Sequence, residues 1–113
     1  MDQLTRYRQA IQSILKEYAR LFNHKPAGVE VIAVCDETTD TYAIVNVGWD
    51  GKERLNTTTV LIRIVNGKIW VEEDRTMYGL VDELLAASVP QSDIVRFPVA
   101  RDEAIYRVCC GVN

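Results

Sequence analysis

The sequence predicts an α+β fold, and three features carry that prediction. A long amphipathic helix opens the chain, β-branched segments punctuated by Asp-Gly and Asn-Gly follow, and a short apolar-striped helical segment comes after them. With 113 residues the chain is expected to form a single domain over 1–113, because domains run at roughly 100–200 residues.

The first helix is read from Leu4, Tyr7, Ile11, Ile14, Leu15, Tyr18, Leu21 and Phe22, which recur at steps of three and four and so share one stripe. Asn23, Pro26 and Gly28 end it, since proline cannot continue the hydrogen-bond ladder. Four strands are expected at 29–34, 42–49, 57–65 and 68–73, with a turn-rich connection at 38–41. Asp50-Gly51 and Asn66-Gly67 read as type I′ turns, whose two central residues both need positive φ. The strands therefore form an antiparallel four-stranded meander.

Alternation divides the faces of that sheet. Val60, Ile62 and Ile64 point one way, toward the helices, while Thr59, Leu61, Arg63 and Val65 point the other. Leu61 and Val65 are then left partly open, to be covered by the chain's own tail, by a second copy or by a partner. The second helix is expected over 77–88, with Thr76 as N-cap, Met77, Leu80, Val81, Leu84 and Leu85 as its buried stripe, and Pro90 beyond it. The tail at 103–110 reads as a final short strand.

Charge narrows the functional classes. The net charge is −3, yet residues 1–25 carry a balance of +3 and residues 26–113 one of −6. Phosphate binding needs clustered cations. Arg6, Arg8, Lys16 and Arg20 are the candidate DNA contacts, set against the simpler reading of a solvated helix face. Cys35, Cys109 and Cys110 show no Cys-x-x-Cys spacing and read as reduced thiols, Cys35 as core filler. No apolar run reaches the roughly 18 residues of a spanning helix, and the first residues hold no apolar signal core, so a cytoplasmic location is expected.

The usual reactive constellations do not assemble from this sequence. The six glycines are scattered, so neither phosphate-cradling motif occurs. His24 is the only histidine and has no partner at metal-ligand or triad spacing. Asp36, Glu37 and Asp40 form one acidic group and Glu72, Glu73 and Asp74 another. Consecutive strand residues face opposite ways, which separates Glu72 from Glu73. The expectation is a non-enzymatic chain without catalytic residues, metal or cofactor. Trp49 and Trp70 read as core residues first and as interaction anchors second. With Asp50, Leu61 and Val65 they make up the candidate partner-binding surface.

Several spaced motifs go beyond generic strands. Asn46-Val47-Gly48-Trp49-Asp50-Gly51 is followed by Asn66-Gly67-Lys68-Ile69-Trp70-Val71. Asp74, Thr76, Gly79, Glu83-Leu84, Val89-Pro90 and Asp93-Ile94-Val95 complete the order. The opening Tyr7-Arg8-Gln9, with Ile11, Ile14, Leu15 and Tyr18, belongs to the same pattern. Over residues 1–97 this resembles the XisI family of cyanobacteria, the element excision controlling factors. Beyond Val95 the chain departs from the family's Gly-Phe pair, with Arg96-Phe97-Pro98 in its place. The resemblance implies a small α+β accessory protein. Such a protein would act with a XisH partner of restriction-endonuclease type in the programmed excision of a DNA element by a separate recombinase. Three roles follow: a regulatory subunit docking that partner, an antitoxin-like inhibitor of it, or a DNA-binding directionality factor using Arg6, Arg8, Lys16 and Arg20. A homodimer through the mixed sheet face is a further expectation.

Overall fold

The computed structural model describes residues 2–22, 28–77 and 79–97. Helix α1 (Gln3–Phe22) is capped by Asp2, whose carboxylate accepts the Thr5 N–H at 2.7 Å. Strands β1 (Val29–Asp36), β2 (Thr41–Asp50), β3 (Glu53–Val65) and β4 (Lys68–Asp74) follow, then α2 (Leu80–Ala86), a 3₁₀ turn (Gln91–Asp93) and β5 (Ile94–Arg96). The sheet order is β1-β2-β3-β4-β5; the first four strands are antiparallel neighbours, and β5 runs parallel to β4.

The expected α+β architecture is present, with five strands where the sequence suggested four. The fifth arises because α2 carries the chain back over the helix side of the sheet, and a strand reached by such a crossover lies parallel to the one it left. At three residues it is too short to show a period. The predicted strand at 103–110 and the helix end at Asn23, His24 and Pro26 lie outside the described residues.

One face of the sheet forms the core. Tyr42, Ile44, Val60, Ile62, Ile69 and Val71 are buried against Tyr7, Ile11 and Leu15 of α1 and Leu80 and Leu84 of α2. Full burial of each such aliphatic side chain is worth about 1.5–3 kcal/mol, so this layer drives the fold. Ion pairs and hydrogen bonds hold α1 in register at its edges. Arg8 grips both carboxylate oxygens of Asp40, at 2.7 and 3.1 Å, and the Tyr42 hydroxyl donates to the same carboxylate. Farther toward the start of the helix, Tyr7 and Gln3 donate to Asp93, which also receives Lys68 at 2.9 Å.

Two expectations about α2 are corrected. It begins at Leu80, and Met77 is 90% exposed. Thr76 is not the cap: the cap position is Gly79, and Asp74 supplies the acceptor, one oxygen taking the Leu80 N–H at 2.7 Å and the other the Thr76 N–H and hydroxyl. Thr76 in turn accepts the Gly79 N–H. The carboxylate thus serves the helix from six residues away. Leu85, expected in the buried stripe, is 38% exposed. The helix closes with Val89 donating to Leu84 and Ser88 to Leu85, the paired bonds of a Schellman motif, with Ser88 at φ 70°.

The hairpins refine the turn assignment. Asn66 and Gly67 both have positive φ, as a type I′ turn requires. At the β2–β3 hairpin Asp50 pairs with Glu53, so the central residues are Gly51 and Lys52 and only Gly51 has positive φ. That is the type II′ pattern in place of the expected I′. Gly48 meets a different demand. A Cβ there would lie 2.0 Å from the Gly28 carbonyl oxygen and 2.7 Å from the Val29 Cα, so the close approach of β1 leaves no room for a side chain.

Candidate functional site

Among the described residues, no helix covers the second face of the sheet across β1, β2 and β3. Register places Glu30, Ile32, Val34 and Asp36 of β1 on it, opposite Val47, Val45, Ala43 and Thr41 of β2. Leu61 and Arg63 of β3 continue this face, and beyond a bulge at Thr59 so do Thr58, Asn56 and Arg54. In β1 the core-side residues are half-buried, while Ile32 and Val34 are 39% and 45% exposed. Antiparallel sheets commonly face solvent on one side, but that side is then polar. Here its centre is apolar.

Trp49 lies at one end of this face and is the most exposed of its large apolar side chains, at 51%. The Arg54 guanidinium sits over its ring, 5.1 Å from the centroid, across the hairpin that pairs the two residues. A cation over an indole is held by the ring's negative face and still leaves an amphipathic surface for a partner. Asp50 follows at the hairpin tip and is exposed.

The remaining sequence candidates separate. Leu61 and Val65 are half-buried on the open side. Trp70 shares their side but is 91% buried, its ring 5.4 Å from Phe97, and its Nε1 is without a partner among the described residues. It therefore packs as a structural residue, and Trp49 alone of the two is presented. Ile32 and Val34 were not singled out in the sequence. The signal was there: in Val29–Asp36 apolar residues occupy both alternating sets, which marks a strand with something to cover on each side.

The four cations do not form a cluster of free charges. Arg8 is committed to Asp40, and Arg20 grips Glu17 from 2.8 Å; Arg6 and Lys16 make no ion pair among the described residues and lie apart on the helix. The carboxylates are likewise engaged. Asp36 accepts the Thr38 N–H and the Thr39 hydroxyl, Glu37 meets Gln12, Glu72 meets Arg63 and Glu73 meets Arg75. The Arg8 hydrogen bond holds the Asp40 carboxyl below the usual carboxylate range, and the Lys68 and Tyr7 bonds do the same for Asp93. Burial pushes the Asp74 carboxyl up, but the bonds from Thr76 and Leu80 outweigh it and its pKa is lowered. Among the described residues no three His, Cys, Asp or Glu side chains converge as a metal site, and no helix is long and apolar enough to cross a membrane.

These features define a small α+β protein whose helices cover one face of a five-stranded sheet and whose opposite face presents an apolar, tryptophan-ended surface. The comparisons then give the family. The chain belongs to the XisI family, whose model, described as XisI protein, matches residues 1–102. Two solved structures from Anabaena variabilis ATCC 29413 are similar. The fdxN element excision controlling factor XisI is 42% identical with a TM-score of 0.78, over 90% of this chain and 98% of that one. A XisI-like protein is 32% identical with a TM-score of 0.76, over 81% of this chain and 84% of that one. No curated protein matches the chain.

Proposed function

We propose that this chain is a non-enzymatic accessory factor in the controlled excision of a DNA element, and that it works by docking a XisH-type, nuclease-like protein on the open face of its sheet. One observation carries the reading: Ile32, Val34 and Trp49 are all exposed on that one face of the sheet. Tryptophan is enriched among the few residues that supply most of the affinity in protein interfaces, and apolar neighbours help exclude water around it. The family relationship supports excision control as the setting. Two of the four candidate DNA-contacting cations, Arg8 and Arg20, are tied up in ion pairs, which favours a protein partner over direct DNA binding.

The test is co-expression of the tagged chain with a XisH-type neighbour. The pair is expected to co-purify, and Trp49→Ala with Val34→Glu is expected to abolish that without unfolding the chain. A well-folded pair showing no heat of association by titration calorimetry contradicts the reading.

A further inference from the structure

The open face has charged margins of opposite sign. Glu30 and Asp36 line it on β1, and Arg54 and Arg63 line it on β3, with Ile32, Val34, Val45 and Val47 between. The register fixes their heights. Asp36, Thr41 and Arg63 lie in one row across the three strands, and Glu30, Val47 and Asn56 in another, with Arg54 two residues further along β3.

We propose that this face pairs with the same face of a second copy about a two-fold axis running along β2. Such a rotation keeps positions along the strands and reverses their order. It therefore lays β1 of one copy over β3 of the other and puts the two β2 strands together. Asp36 then stands at the height of the second copy's Arg63, which also meets Glu72 of its own chain at 3.5 Å, and Glu30 within a long side chain's reach of Arg54. The apolar centres close on each other, and the Trp49 side chains approach the axis. The charges select this axis. A two-fold across the strands would lay β1 over β1 and set acids against acids, which is disfavoured. A face that satisfies itself in this way is what an isologous interface requires, and aligned sheets pack with an angle of about 30° between their strands.

This inference rests on the docking face proposed above. Partner and second copy would share it, so the two would exclude each other there. Self-association is measured on the chain alone, however, so its failure leaves partner binding to be judged separately by co-purification.

The experiment is sedimentation velocity on the full chain from low to high micromolar concentration, with Glu30→Arg, Arg54→Glu and Val34→Glu. Glu30 and Arg54 are exposed, so their reversals are expected to keep the melting temperature of the parent. The parent should show a monomer–dimer equilibrium, and each charge reversal should weaken it by about tenfold or more, since like charges facing across an interface are strongly unfavourable. An equimolar mixture of Glu30→Arg and Arg54→Glu chains should recover the dimer, because both pairs are then complementary again. Val34→Glu should abolish it. A parent that stays monomeric throughout, a dimer indifferent to Val34→Glu, or a mixture no better than its separate components overturns the proposal.

Discussion

Arg54 lies over the indole of Trp49 at 5.1 Å, and the two residues face each other across the β2–β3 hairpin on the open side of the sheet. The pairing holds a half-exposed tryptophan in one orientation, so a partner meets a preorganised anchor. Trp49→Ala is accordingly expected to weaken partner binding by about 2 kcal/mol or more with little change in melting temperature. Calorimetric titration beside thermal unfolding separates the two effects.

The acid limb of stability is expected to depend on Asp40 and Asp93. Hydrogen bonds from Arg8 to Asp40, and from Lys68 and Tyr7 to Asp93, lower both carboxyl pKa values in the folded state. A depressed folded pKa contributes stability that is present above the unfolded value, near 3.9, and is lost as pH falls through the folded value. Asp40→Asn and Asp93→Asn should each lower the melting temperature at neutral pH and flatten its decline on acidification. Parallel melting curves across the acid range would show that these contacts contribute nothing.

Gly48 is expected to tolerate no side chain. The Cβ of Gly48→Ala would fall 2.0 Å from a backbone oxygen of Gly28, and backbone yields less readily than a flexible side chain. Overpacking of this kind costs about 1–3 kcal/mol or more, and β1 should detach from β2. Amide exchange confined to β1 and β2 reads this directly.

The end of α2 offers a change in the opposite direction. Ser88 adopts φ 70°, a conformation glycine reaches without strain, and its side chain makes no hydrogen bond among the described residues. Ser88→Gly should stabilise the chain by about 0.5–1 kcal/mol, visible as a rise in the denaturant midpoint at unchanged slope.

Much of the fold was legible because it rests on periodicity. The stripe of α1, the alternation of Val60, Ile62 and Ile64, and Asn66-Gly67 each determine their element through local chemistry. What escaped was set at a distance. The start of α2 depends on Asp74 reaching Leu80 over six residues, the turn type at Gly51 on where β2–β3 pairing stops, and β5 on the crossover that delivers it. The candidate surface was half legible. Trp49 and Trp70 look alike in sequence, and only the register and packing show one exposed and the other buried; Ile32 and Val34 hid within a strand apolar on both sides.

The most direct measurement is a calorimetric titration of a XisH-type partner into the parent chain and into a folded Val34→Glu variant. Saturable binding by the parent and none by the variant are expected, since the interface would have to bury an unpaired carboxylate. Equal binding by both chains would move the docking surface off this face of the sheet, and with it the proposed mode of action.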